Sequence, residues 1–193
     1  MRIGDFCVIR SGHAFRGRIL NVSGGNKRVI QPRNIGDEGA VFFSADEPLR
    51  VNVSGGKPLK PKDVLVVNRG RFAATVFNQE EPGSWIVPAS ILVLSVTSPA
   101  VLPEYVVCYI NSAGGQRLFQ RHIEQSTIPY ISPTNLGSMD IPIPSLERQV
   151  LMVECCTAAA RYAKLINRKQ EIYREILDHE LKREVSFVDR RVK

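Results

Sequence analysis

The side chains of this sequence that can do selective chemistry are hydrogen-bond forks rather than nucleophiles or metal ligands. An arginine presents paired donors that match the acceptors on a guanine edge. Glutamine and asparagine present a donor beside an acceptor, which matches adenine. His13, Arg16, Arg18, Gln31, Arg33, Asn34, Arg69 and Arg71 carry polar groups of this kind in loops beside expected strands. Gln125, Ser126 and Thr127 precede an extended stretch, Ile128–Ile131, and suit insertion into a groove. Lys27, Arg28, Lys57, Lys60 and Lys62 are better matched to phosphate, which asks only for positive charge. The plainer reading of each is a solvated charge or a bond inside its own loop.

The charge balance points the same way. Lys and Arg number 26 against 19 Asp and Glu, a net +7 over 193 residues. Residues 1–72 carry 13 basic and 6 acidic side chains, 73–145 carry 2 and 5, and 146–193 carry 11 and 8. The positive field therefore belongs mainly to the first third, where glycine-rich loops are also densest. A polyanion is the expected partner, nucleic acid ahead of an anionic membrane surface.

Other chemistry is missing. The cysteines, Cys7, Cys108, Cys155 and Cys156, form no CxxC pair, and His13, His122 and His179 are scattered, so no zinc site is expected. There is no GxxxxGK[ST] loop, no GxSxG and no Asn-Pro pair, which an adenine methyltransferase tetrapeptide would need. No metal, cofactor or catalytic residue is expected. The longest apolar runs are strand-sized, and no apolar segment follows Met1–Asp5, so neither a membrane span nor a secretory signal is expected. Adjacent Cys155 and Cys156 fit reduced thiols of a cytoplasmic protein.

Two kinds of element must position the loops. Residues 1–144 read as a mixed unit: short strands at Phe6–Ile9, Val29–Gln31, Val64–Val67, Ala73–Phe77 and Ile91–Val96, all rich in Val, Ile and Phe. Pro103 opens a helix over Glu104–Ser112, Gly114-Gly115 breaks or bends it, and Gln116–Ile123 resumes. Ser132-Pro133 is a cap followed by a first helical position. From Ser145, a helix N-cap, to Lys193 there is no Gly or Pro. Leu151, Cys155, Ala158, Tyr162, Leu165, Ile172 and Ile176 recur at alternating spacings of four and three, interrupted by Lys169. That is a coiled-coil seam. After Ile176 the apolar stripe moves to Leu177, Leu181, Val185 and Val188. The expected fold class is α+β, a compact recognition domain at 1–144, a long pairing helix at 145–185 and a tail at 186–193.

The motifs, in their order, resemble the target recognition domain and spacer helix of type I restriction–modification specificity subunits. Ile3-Gly4-Asp5-Phe6 and Ser11-Gly12-His13-Ala14-Phe15 resemble the opening "LGDI…SGxxF". Ile30–Ile35 is similar to "IQxRNI". Leu59–Leu65 with Asn68-Arg69-Gly70 is similar to "LxxGDVLxxxRG", with Lys62 in place of the glycine. Leu102–Asn111 resembles the "P-E-[FY]" helix, Ser126–Ser132 the "xxIPxIS" segment, and Leu136–Gln149 "L…IPIPPLxEQ", with Ser145 for the second proline and Arg148-Gln149 for Glu-Gln.

The resemblance implies a non-catalytic subunit that selects double-stranded DNA for methyltransferase and restriction subunits. Family members usually carry two recognition domains and two spacer helices, and this chain has one of each. It thus resembles a half-length subunit that self-associates through its helix, or one half of a longer chain. A helix of about 60 Å would set a gap of roughly 17 base pairs at most between half-sites, at about 3.4 Å per pair. Three alternatives stand beside it: a helical adaptor that does not bind DNA, an enzyme such as a nuclease or methyltransferase fragment, and the recognition domain of another phage-defence methylase.

Overall fold

The computed structural model describes residues 1–36, 39–44, 48–123 and 127–191, with 183–191 described by backbone alone. The Asp37-Glu38 turn and the candidates Gln125 and Ser126 lie outside the described residues, as do the side chains of Val185 and Val188. The chain divides into two units, Met1–Val153 and Glu154–Lys193, and the fold is α+β.

The centre of the first unit is an antiparallel sheet of β1 (Cys7–Ser11), β4 (Val64–Val67), β5 (Ala74–Val76) and β7 (Ile91–Val96), in the order β1-β7-β4-β5. The strands at Val64–Val67 and Ile91–Val96 run as read from the sequence. Their consecutive apolar positions, Val64–Val67 and Ile91–Leu94, have a physical cause: both faces of the sheet are covered there. Val64 pairs with Leu94 and Val66 with Leu92, and these four face one core. Leu65 pairs with Val93 and Val67 with Ile91, and these face the other.

Helices cover the first face. They are α1 (Ile3–Phe6), α2 (Pro103–Asn111), α3 (Ala113–His122) and α4 (Pro133–Ser138). Ile3, Phe6, Val106, Ile110, Phe119 and Leu136 enter this core. Phe119 stacks on Phe72 with ring centroids 4.9 Å apart. Burying one such side chain stabilises the fold by about 1.5–3 kcal/mol.

A second sheet covers the other face: β2 (Lys27–Val29), β3 (Leu49–Val51) and β6 (Trp85–Ile86), in the order β3-β2-β6. Strand β2 is antiparallel to β3 and parallel to β6. Trp85, Val87 and Ile30 fill the space between the sheets. On this sheet's far side Phe15, Ile19 and Val53 pack against Val29, Val51 and Ile86.

Two helix boundaries differ from expectation. The chain breaks at Ser112 rather than at Gly114-Gly115, and the glycines lie in the first turn of α3. Ser112 caps that turn, its hydroxyl accepting from Gly115 N–H at 3.1 Å. Gly115 is there because a Cβ would fall 2.1 Å from the Tyr109 carbonyl oxygen. Ser132 caps α4 as read, accepting from Asn135 N–H at 3.2 Å. The final helix, α5, runs Leu146–Arg191, past position 185 where the sequence reading ends it.

Candidate nucleic-acid interface

The turn between β6 and β7, residues 88–90, is a hub onto which separate candidate loops are fastened. The first is the Ser11–Phe15 loop. His13 donates its backbone N–H to the Val87 carbonyl at 2.7 Å, and Ala89 donates back to the His13 carbonyl at 2.9 Å. This approach is close enough to exclude any side chain at Gly12, where a Cβ would lie 2.2 Å from the Pro88 oxygen. The His13 ring meets Phe15 edge-on, with centroids 4.8 Å apart, and Phe15 anchors the loop to the second sheet. Gly56, at φ +82°, brings the 54–57 loop against His13.

The second is the loop that leaves β4. Asn68 is 2% exposed. Its backbone N–H reaches the Ser90 carbonyl at 3.1 Å, and its side-chain Nδ2 reaches the Ala89 carbonyl at 3.3 Å. This loop in turn holds the 127–131 segment. Ile131 N–H donates to the Asn68 carbonyl at 3.0 Å, and Gly70 N–H donates to the Pro129 carbonyl at 2.8 Å. Arg69 and Tyr130 form an antiparallel bridge. Side chains of such a pair share a face, and the Arg69 guanidinium lies 5.3 Å over the Tyr130 ring. Arg69 and Thr127 are exposed.

Arg71 carries the third connection. Its guanidinium donates to the carbonyls of Pro32, at 3.1 Å, and Ile35, so it binds the Gln31–Ile35 turn to the loop that leaves β4. Its Nη2 serves the protein, which makes Arg71 a brace between the two loops. Asn34 likewise has its side chain engaged by the protein. It is 1% exposed. Its Oδ1 accepts from Gln31 N–H at 2.8 Å and its Nδ2 donates to the Phe42 carbonyl at 3.1 Å. Arg33 on this turn is exposed, and Gln31 is half-buried.

The hub does not gather every candidate. Lys27 Nζ donates to the Gly83 carbonyl at 2.7 Å, and Arg28 pairs with Glu81 at 2.8 Å while lying 5.4 Å over Trp85. Lys60 and Lys62 are exposed in the turn that enters β4, at the opposite end of that strand from Arg69. Lys62 stands at φ +66°, the left-handed region in which glycine is at ease. Arg16 and Arg18 are exposed in a stretch without regular structure, and Lys57 is exposed beside Gly56.

Sequence reasoning missed Arg10, Tyr130 and the hub itself. Arg10 donates to the carbonyls of Lys57 and Pro58 at 3.2 and 3.0 Å and lies 3.5 Å from the buried Asp63 carboxylate. Asp63 also accepts from Lys60 N–H and the Ser95 hydroxyl, at 2.9 and 2.6 Å. Nothing local marks Arg10. Tyr130 and Gly12 do stand inside the quoted motifs, which was the available signal.

Two further motif residues join the first turns of α5 to the first unit. The Tyr105 hydroxyl donates to the Pro142 carbonyl at 2.5 Å, and burial raises its pKa above the ordinary tyrosine value, with smaller contributions from Tyr109 and Cys108. Gln149, wholly buried, spends its amide on Leu102, Ala100 and Pro144. Farther along α5 the seam is exposed: Leu151 59%, Tyr162 66%, Leu165 69% and Ile176 54%, with Cys155 and Ala158 also exposed and Ile172 at 41%.

Among the described residues no three His, Cys, Asp or Glu side chains are grouped to hold a metal ion, and no helix is long and apolar enough to cross a membrane.

No protein-family model and no curated protein matches the chain. Solved structures do. A structure described as showing complex assembly and conformational transition of the type I R-M system matches with a TM-score of 0.66 at 19% identity, covering 88% of this chain and 40% of that one. The HsdS subunit from Thermoanaerobacter tengcongensis matches at 0.60 and 18%, covering 88% and 39%. The type I restriction–modification S subunit from M. genitalium matches at 0.51 and 14%, covering 89% and 39%. The chain thus has the fold of these subunits and spans about two fifths of their length.

Proposed function

We propose that this chain is a sequence-specific, non-catalytic DNA-recognition subunit of a type I restriction–modification system. Residues 1–144 select double-stranded DNA. Residues 145–185 pair with an equivalent helix, and 186–193 form a tail. Methyltransferase and restriction subunits act on the selected site. Pairing through Leu151, Cys155, Ala158, Tyr162, Leu165, Ile172 and Ile176 would hold two recognition units apart and make the site bipartite.

The observation that carries this reading is the convergence at the hub. The loops bearing His13 and Arg69 are tied by hydrogen bonds to one turn, the loops bearing Lys57 and Thr127 are joined to those two in turn, and Arg71 adds the loop of Gln31 and Arg33. A binding surface assembled from loops on a rigid scaffold is the usual design for readout. Chains of the same fold come from type I systems. The α5 seam, apolar and exposed, supports pairing.

The test is binding to duplex DNA as salt is raised. A protein contacting several phosphates loses affinity linearly on logarithmic axes, with slope about −0.9 per phosphate neutralised. Salt-dependent binding supports the reading. Absence of binding at low salt favours the alternative, a helical adaptor that contacts protein only.

A further inference from the structure

The strongest unassigned feature of the first unit is the pairing of Arg69 with Tyr130. Four arginines around the sheets are engaged by the protein. Arg10 serves Lys57, Pro58 and Asp63; Arg28 serves Glu81; Arg50 serves Gly25; and Arg71 serves Pro32 and Ile35. Each of these guanidinium groups donates to at least one protein acceptor. Arg69 differs. It is held, yet among the described residues its N–H groups meet no acceptor.

The holding is threefold. Backbone bonds fix its neighbours, from Asn68 to Ser90 and Ile131 and from Gly70 to Pro129. The antiparallel bridge sets Tyr130 opposite it. The ring then lies under the guanidinium at 5.3 Å. The ring face attracts the guanidinium charge, and no acceptor among the described residues occupies its planar fork of donors. An arginine restrained in this way loses less side-chain entropy on binding than a free one. Its open fork matches the O6 and N7 acceptors of guanine in the major groove.

We propose that Arg69 reads a guanine through that bidentate fork and that Tyr130 is its positioning residue. The proposal rests on the DNA-recognition reading above and adds to it one base, one reader and one support. It also sets Arg69 apart from Lys57, Lys60 and Lys62, whose point charges suit phosphate.

The experiment is selection of bound duplexes from a random pool by the full chain and its variants, with folding checked through Trp85 fluorescence. The wild type is expected to select a motif with guanine at one position. Arg69→Gln should lose the preference at that position alone, by roughly tenfold in discrimination against the other bases, the scale of one bidentate contact. Tyr130→Phe keeps a ring and should keep the preference, whereas Tyr130→Ala should weaken it at the same position. An unchanged motif with uniformly reduced affinity in Arg69→Gln would make Arg69 a phosphate contact and overturn the proposal. A wild type that selects no motif would overturn the recognition reading itself, an outcome distinguishable because it precedes any variant.

Discussion

The side-chain oxygen of Gln149 accepts the backbone N–H of Leu102 at 2.9 Å. The nitrogen of the same amide donates to the carbonyls of Ala100 and Pro144, each at 2.8 Å. One buried side chain therefore ties the start of α5 to the segment that enters α2. Only an amide offers an acceptor and two donors in this arrangement. Gln149→Ala strands three backbone groups and should destabilise the first unit by about 2–4 kcal/mol. Gln149→Glu should also destabilise, because a carboxylate would face two carbonyl oxygens. Denaturant titration followed by Trp85 fluorescence checks both.

Glycine at position 12 is a requirement of contact, not of conformation. A Cβ there meets Pro88 and Val87 backbone atoms, which cannot swing aside. Gly12→Ala should cost about 1–3 kcal/mol, as overpacking does, and should loosen the His13 loop from the hub. Gly55, at φ +97°, has nothing within 4 Å of a Cβ. Gly55→Ala carries only backbone strain, about 1–2 kcal/mol. Hydrogen exchange of the His13 and Ala89 amides should rise in the first variant and not in the second.

Lys62 is the converse case. A lysine at φ +66° bears a cost that glycine avoids, so Lys62→Gly should raise stability by about 0.5–1 kcal/mol. If Lys62 contacts phosphate, the same variant loses about one unit of salt slope on random duplex. Thermal melting and salt titration separate the two effects.

The cysteines give a chemical readout of helix pairing. Cys155 and Cys156 are both exposed, but only Cys155 lies on the seam. In a paired helix a maleimide reagent should modify Cys156 faster than Cys155, and the difference should vanish on dilution. Cys7 is buried, which pushes its thiol up to about 12 from 9.0. It should react only after unfolding. A raised folded value favours the neutral thiol, so this contribution to stability is intact below about pH 9 and is lost as pH rises toward about 12.

What was legible in the sequence follows from how local each signal is. Val64–Val67 and Ile91–Val96 were readable because strands covered on both faces carry consecutive apolar residues, here Val64–Val67 and Ile91–Leu94. Strands β3 and β6, two or three residues long, leave no pattern to read. Gly114-Gly115 looked like a break because glycine usually marks one; here Gly115 marks a close approach to Tyr109. The site divides likewise. Residue type identified Arg69 and His13 as exposed or half-exposed polar groups on loops. It could not separate Arg69 from Arg71 or Asn34, because the carbonyls that occupy Arg71 come from a turn more than thirty residues away. The Ser132 cap, by contrast, is a three-residue signal and was readable as it stands.

The central claim, that this chain chooses a DNA sequence and measures a gap between two copies of it, is tested most directly by sequencing the duplexes the wild-type chain retains from a random pool. The account predicts two short blocks related by inversion and separated by a constant number of unspecified base pairs. Retention without any enriched sequence, or enriched blocks with no fixed separation, would contradict it.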